Sequence, residues 1–240
     1  MAESPLGWNE VFSPAASGFD SLVPFLATAQ LLAADASVVV EVGCGRGAMV
    51  AAGNPRPFQD LRGPGRQVIG IDIDPAGKQN PALDEFRLIE GDRWPLSDGE
   101  ADLAVSDWTL EHVENPTAFV AELTRVLRPG GAFVARTVSR HSLLSLASRS
   151  VPNAKHARVL EKIQPGREAR DVFPTMYRMN TRRDLAALLD REFEWTVAHR
   201  GGLHHYAHPW PRLARAIAVV EPRLPQTLRT TLVIYARKRT

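Results

Sequence analysis

The chain has 240 residues, of which 44% are hydrophobic, and this is enough to form a sizeable core in one large α/β domain. Its net charge of +2 at pH 7, without a long basic run, argues against a protein that coats nucleic acid. Cys44 is the one cysteine, which excludes an intramolecular disulfide and an all-cysteine metal site. No secretory signal and no apolar run of about 18 residues is visible, so we expect a cytoplasmic protein without a transmembrane segment.

Residues 1–34 are predicted to be a helical lead-in to the main domain. Apolar residues recur at helical spacing between Leu22 and Ala34, which predicts a helix that packs beside a sheet. Residues 1–20 contain small residues and prolines and are predicted to be irregular.

A buried strand followed by a glycine turn is predicted between Ser37 and Gly47. The run from Ser37 to Val42 is rich in β-branched residues and is too short for a helix, which favours a buried parallel strand. Gly43, Gly45 and Gly47 then remove side chains where the main chain can touch a ligand. A helix is predicted to start at residue 48. Strand, glycine turn and helix are the typical beginning of a nucleotide-binding fold.

Six further strands and three further helices are predicted. The strands cover residues 67–74, 86–92, 101–107, 132–138, 194–200 and 230–237, and the helices cover residues 116–127, 182–189 and 210–221. Up to residue 138 the strands alternate with helical or loop segments. This alternation implies a mostly parallel sheet with helices on both faces.

Residues 139–180 interrupt the alternation and are predicted to be an insertion that caps the substrate side together with residues 1–34. Between Arg140 and Asp184 ten Lys and Arg residues stand against four Asp and Glu residues. The excess either binds an anionic acceptor or forms a solvated face.

Acidic side chains mark the carboxyl ends of the predicted strands, where ligands bind in an open α/β sheet. These residues are Glu41, Asp72, Asp74, Asp92 and Asp107. The pyrophosphate of a dinucleotide is an anion and is disfavoured by such an edge. S-adenosylmethionine carries an ammonium and a sulfonium and no phosphate, so acids stabilise it. The charge pattern therefore favours the methyl donor over NAD.

Each acid suits one part of that donor. Asp72 is placed to accept hydrogen bonds from both ribose hydroxyls, and Asp92 to accept one from the adenine amino group, with Trp94 nearby to cover the ring. Glu41 lies under the glycine turn, where it can orient the methionine ammonium.

The motifs Glu41–Gly47, Ile71–Pro75, Glu90–Asp92, Asp102–Val113 and Leu127–Gly131 occur in the order typical of one large family. Over residues 35–138 the chain resembles class I S-adenosylmethionine-dependent methyltransferases, most closely the methyltransferase type 11 branch. The resemblance implies a Rossmann-like three-layer sandwich, whose sheet has seven strands with the last one antiparallel.

The family's cofactor residues correspond to Glu41, Gly43, Gly45, Asp72, Asp92 and Ser106. Neighbouring residues are predicted to complete the cofactor site: Cys44, Ile73, Arg93, Trp94 and Asp107. The chain departs from the family pattern in Arg46, in the long interval between Gly43 and Asp72, and in the short stretch after Asp92.

His112 and His141 follow predicted strands and are two candidate general bases, either of which could instead be a packed or capping residue. His204, His205 and His208 lack a partnered acid or cysteine spacing, so no metal is predicted. We expect methyl transfer to a small-molecule acceptor, first of all to oxygen. The alternatives are an NAD-dependent oxidoreductase, since Gly43–Ala48 fits G-x-G-x-x-A, and a non-catalytic cofactor-binding subunit.

Overall fold

The computed structural model describes residues 21–47, 60–143, 145–146, 174–202 and 210–240, without the side chains of Pro211 and Ala218. The helix predicted from residue 48, most of the insertion 139–180, and the three histidines between residues 204 and 208 lie outside these ranges.

Seven strands form one sheet in the order β3-β2-β1-β4-β5-β7-β6. The strands are β1 (Val38–Val42), β2 (Gln67–Asp72), β3 (Glu85–Leu88), β4 (Ala101–Asp107), β5 (Leu127–Val138), β6 (Phe193–Arg200) and β7 (Thr231–Lys238). The first five strands pair in parallel, and β7 is antiparallel to both β5 and β6. The predicted sheet with its antiparallel last strand is thus confirmed.

In the part of the chain that the structure describes, four α-helices flank the sheet: α1 (Leu22–Ala33), α2 (Pro116–Val126), α3 (Arg182–Leu189) and α4 (Pro211–Val220). Short 3-10 turns cover Pro75–Gln79, Leu110–His112, Glu221–Arg223 and Gln226–Leu228. Alternate residues of β1 enter two separate cores because successive side chains of a strand point to opposite faces. Val39 packs with α1, whereas Val40 and Val42 belong to the core of α2 and α3.

Local sequence accounts for the helix ends. Asn115 caps α2, where its side chain accepts from the backbone N–H of Ala118 at 3.1 Å, and Pro116 occupies the first turn. Thr181 caps α3 in the same way, accepting from Asp184 N–H at 3.1 Å. The helices predicted over residues 116–127 and 182–189 are thus observed as α2 and α3.

Several boundaries differ from the expectation. β2 ends at Asp72 and not at residue 74, and β3 ends at Leu88 and not at residue 92, so Asp92 lies beyond the strand. Residues 128–131 were expected to separate α2 from the fifth strand, but β5 already begins at Leu127. Leu127 pairs with Ala101, and the register then shifts before Leu103 pairs with Ala132. A bulge absorbs the extra residues, with Gly130 at φ +74°.

Within the described parts of the chain, no helix has the length and apolar character that a membrane crossing needs. The same residues contain no cluster of three or more His, Cys, Asp or Glu side chains suited to a metal ion.

Candidate cofactor and acceptor site

The strand order reverses between β1 and β4, and the glycine turn leaves β1 at this switch point. Gly43, Gly45 and Gly47 adopt φ of +71°, +49° and +67°, conformations that glycine adopts without steric cost. The N–H groups of Gly43 and Cys44 donate to Ile71 O at 2.8 and 3.3 Å, which ties the turn to β2. The turn therefore lies where open α/β sheets bind their ligands.

The three glycines serve different purposes. A Cβ added at Gly43 would lie 2.3 Å from Thr109 Oγ1, and one at Gly47 would lie 2.4 Å from Asn80 Oδ1. A Cβ at Gly45 would meet nothing within 4 Å. Gly43 and Gly47 are thus needed for packing, whereas Gly45 presents bare backbone to open space.

This contrast predicts opposite phenotypes for two matched substitutions. Gly45→Ala should leave the melting temperature within a few degrees of wild type, since it costs only the strain of a left-handed residue, about 1–2 kcal/mol. Because the new methyl group occupies the open space, affinity for a ligand seated there should fall about ten-fold or more. Gly43→Ala should destabilise the fold itself, because it collides with Thr109. Calorimetric binding and thermal melting of both variants test this, and equal melting temperatures would contradict it.

Asp72 fastens the end of β2 to the glycine turn. Its side chain is buried, Oδ2 accepts from Gly45 N–H at 2.8 Å, and Oδ1 accepts from Asp74 N–H at 2.8 Å. A carboxylate offers about four acceptor positions, so two remain for a ligand's hydroxyl groups. Asp74 is occupied differently, because it caps the following 3-10 turn at Ala76 N–H.

Glu41 is a partly exposed acid on β1 that receives no hydrogen bond from the described residues. Desolvation by burial, and then the charges of Asp107, Asp72 and Asp60, raise its pKa to about 8. An acid surrounded by acids gains most from a cation placed beside it. Together with the open backbone at Gly45, this arrangement fits a cationic ligand better than a phosphate.

The neighbouring residues provide an exposed edge. Ile73, directly after Asp72, is 66% exposed and offers an apolar surface to an aromatic base. Asp92 and Arg93 are also exposed beyond the end of β3. Their proposed contacts with the cofactor remain predictions.

Two predicted site residues are used inside the protein instead. Trp94 is only 6% exposed and packs edge-on against Phe119, with ring centroids 5.2 Å apart. The expectation that the Trp94 ring covers an adenine is therefore wrong, because the ring is buried in the core. Ser106 is fully buried, and its hydroxyl donates to Val42 O at 3.1 Å, so it supports the end of β1 from below.

Asp107 is neutralised by an arginine that the sequence analysis missed. Arg136 lies opposite Asp107 in the β4–β5 register and donates to both carboxylate oxygens at 2.7 Å. Its buried guanidinium lies 5.4 Å from the ring centroid of Phe25 and 5.2 Å from that of Trp108. A lone arginine within an apolar strand was the signal that could have revealed the pair.

Cys44 and His141 complete the predicted set. Burial, and then the charge of Glu41, raise the pKa of the Cys44 thiol, so it stays protonated and suits a packed residue better than a nucleophile. His141 is exposed just beyond β5.

His112 lies on the turn after β4, beside the glycine turn. Thr109 starts this turn, and its hydroxyl lies 3.4 Å from the carbonyl oxygens of Val42 and Gly43. His112 Nδ1 lies 2.9 Å from Pro174 O. Because a carbonyl can only accept, Nδ1 carries the proton, and the lone pair of a neutral imidazole is then on Nε2.

Glu111 anchors the chain that returns from the insertion. The N–H groups of Met176 and Tyr177 donate to its backbone oxygen at 2.7 and 3.2 Å. Its buried carboxyl accepts from Thr137 Oγ1 at 2.7 Å, and burial raises its pKa. Residues 174–180 are thereby held against the end of β4.

Comparisons with known proteins agree with this geometry. A family model described as a methyltransferase domain matches residues 40–135. A probable S-adenosylmethionine-dependent methyltransferase from Mycolicibacterium smegmatis is 35% identical over 107 residues, covering 42% of this chain and 38% of the relative. Malonyl-[acyl-carrier protein] O-methyltransferase from Yersinia pestis is 28% identical over 125 residues, covering 50% and 44%. The chain thus spans less than half the length of either relative.

Solved structures show the same fold. An S-adenosylmethionine-dependent methyltransferase from Mesorhizobium loti superposes with a TM-score of 0.54 at 19% identity, covering 90% of this chain and 96% of the other. A plantazolicin methyltransferase superposes with a TM-score of 0.53 at 12% identity, covering 97% and 88%. Residues 40–135 of this chain are thus similar to S-adenosylmethionine-dependent methyltransferase domains. The acids of the site fit S-adenosylmethionine, the cofactor named for the Mycolicibacterium smegmatis relative.

Proposed function

We propose that the chain transfers a methyl group from S-adenosylmethionine to an oxygen atom of a small-molecule acceptor. The observation that carries the proposal is the convergence of three features at one sheet edge. These are the open backbone at Gly45, the acids Glu41 and Asp72 beneath it, and the oriented imidazole of His112 on the adjoining turn.

The chain's own residues position the two reactants. Bound S-adenosylmethionine supplies an electrophilic methyl group on a sulfonium, whose thioether is already a good leaving group. Asp72 accepts hydrogen bonds from the ribose hydroxyls, and Glu41 pairs with the methionine ammonium. The adenine is contacted by Ile73 and Asp92. Since the donor needs no activation, orientation supplies most of the acceleration.

His112 is the proposed general base. Pro174 O accepts from Nδ1–H and orients the ring, and Nε2 takes the proton of an acceptor hydroxyl. The same carbonyl then stabilises the imidazolium that forms. The O-methyltransferase activity in the name of the Yersinia pestis relative supports oxygen as the acceptor atom.

The remaining parts of the proposal concern the whole chain. We propose one domain over residues 1–240, with residues 1–34 and 139–180 on the acceptor side. The cytoplasmic location and the small-molecule acceptor stay proposals. The absence of a nucleic-acid partner is a proposal supported by the nearly balanced charge.

Donor binding tests the proposal directly. Calorimetry should show that S-adenosylhomocysteine binds and that NAD does not. Asp72→Ala should weaken this binding about ten-fold or more, because it removes the ribose acceptor and loosens the glycine turn. Asp35→Ala is the matched control, since Asp35 is exposed and precedes β1 at the opposite edge of the sheet.

Two results would contradict the assignment. NAD binding with unchanged S-adenosylhomocysteine affinity in Asp72→Ala would favour the oxidoreductase. Donor binding without methyl transfer to a panel of phenols, carboxylates, amines and thiols would favour a non-catalytic subunit.

A further inference from the structure

The start of the segment after β5 has buried serines and exposed leucines among its described residues. Ser142 and Ser145 are fully buried; their hydroxyls lie 3.0 Å apart, and that of Ser145 donates to Ser139 O at 2.7 Å. Leu143 and Leu146 are 40% and 44% exposed. This is the reverse of the pattern expected for a segment whose outer face meets water.

Leu143 also lines a groove of about 210 Å³ against α4 and the turn that follows it. The lining residues are Leu143, Ala216, Ile217, Val220, Glu221 and Leu224. Glu221 is the one polar side chain among them, and its oxygens accept from Thr230 Oγ1 at 2.6 Å and Gly202 N–H at 3.2 Å. The groove therefore offers apolar contact.

The groove lies at the same edge of the sheet as the proposed active site. Ser139, directly after β5, donates its N–H to Thr230 O at 2.8 Å. Thr231 begins β7 opposite Val138, the last residue of β5. Because Glu221 binds Thr230, the groove is fixed beyond the carboxyl end of β5, next to the strand that leads to His112.

An exposed arginine lies one helical turn from the groove. Arg212 precedes the lining residue Ala216 by four residues, so the two lie on one face of α4. Val220 on the same helix is 54% exposed. An apolar groove with a guanidinium group one turn away complements a molecule with a hydrocarbon part and an anionic group.

We infer that this groove binds the hydrocarbon part of the methyl acceptor, whose anionic group pairs with Arg212 of α4. The inference rests on the proposed function and names the acceptor class as an anionic amphiphile. For scale, an enclosed apolar cavity of about 150 Å³ holds benzene. A groove of 210 Å³ suits a short aliphatic chain or a single ring.

Octanoate is the probe, with butyrate and octan-1-ol as comparisons, in calorimetry on the full chain with and without S-adenosylhomocysteine. Octanoate should bind, and butyrate should bind at least about ten-fold more weakly because it buries fewer methylene groups. Octan-1-ol should bind several-fold more weakly because it lacks the anion. Val220→Glu should lower octanoate affinity about ten-fold or more, since it places a carboxylate in the groove.

Leu31→Glu is the matched control, because Leu31 on α1 is 73% exposed and away from the groove. It should leave octanoate affinity unchanged, and both variants should keep wild-type affinity for S-adenosylhomocysteine. Equal octanoate affinity in the two variants would overturn the inference. The inference would also be overturned if Val220→Glu melted at a far lower temperature than Leu31→Glu. That result would mean that the protein's own chain covers the groove.

Binding to phosphatidylcholine–phosphatidylglycerol vesicles without binding of monomeric octanoate would also overturn the inference, in favour of a membrane surface. Failure of S-adenosylhomocysteine to bind would contradict the proposed function alone, because octanoate binding is measured without turnover.

Discussion

Glu41→Gln is expected to weaken S-adenosylhomocysteine binding about 10- to 100-fold and to stabilise the free protein at alkaline pH. The loss of affinity follows from removing a charged partner of the ammonium, which contributes roughly 1.5–3 kcal/mol. The gain in stability follows from the environment of the acid, whose pKa is raised to about 8 by desolvation and by neighbouring carboxylates. One residue thus opposes folding while it favours the cofactor.

The direction of the pH effect follows from the raised pKa. Glu41 binds its proton more tightly in the folded chain than in the unfolded chain. Its favourable contribution to the free energy of unfolding is therefore fully present below pH 4.5. That contribution is lost as the pH rises through about 8. Glutamine stays neutral throughout. The stability difference between Glu41→Gln and wild type should therefore grow from near zero at acidic pH to about 2–4 kcal/mol at alkaline pH.

Denaturant unfolding at a series of pH values measures the stability difference. Calorimetry in buffers of different ionisation enthalpy measures the number of protons released when the ligand binds. At neutral pH the wild type should release close to one proton on binding S-adenosylhomocysteine, because the ammonium displaces the proton of Glu41. Glu41→Gln should release none. The control is Glu194→Gln, the same change on a side chain that is 72% exposed. A wild type that releases no proton would refute the assignment.

His112→Ala is expected to lower kcat about 10²- to 10⁴-fold, the usual contribution of a general base, with little change in donor affinity. The imidazole must be neutral to accept a proton, so the wild-type rate should fall on the acidic side of its pH profile. The variant should lose that dependence when the donor is saturating. Saturation matters because the protonation of Glu41 acts on donor binding and not on the proton transfer.

The assay is single-turnover methyl transfer to an acceptor that supports turnover, measured for His112→Ala and His141→Ala side by side. If His112 is the base, its variant alone should lose the acidic limb. His112→Gln adds a check on orientation, because its amide can still reach Pro174 O but cannot act as a base. Loss of kcat confined to His141→Ala would transfer the role to that residue.

The number of strands and the acids at their ends could be predicted because each depends on a short local pattern. The β-branched run of β1 leads directly into Gly43, and Asp72 directly ends the apolar run of β2. The helix signals at Pro116 and Thr181 are likewise local. The misplaced start of β5 has the opposite cause, since the pairing of Leu127 with Ala101 extends the strand across a proline and two glycines.

The sequence by itself predicted which residues meet at the carboxyl ends of β1 and β2: the glycine turn, Glu41 and Asp72. Only the tertiary structure decided how each one is used, because the deciding partners are distant in the chain. Arg136 neutralises Asp107 across 29 residues, and Pro174 sets the proton on His112 across 62. The Trp94 ring is buried in the core because it packs against Phe119. Glu41 receives no such partner from the described residues, and this leaves its charge for the cofactor.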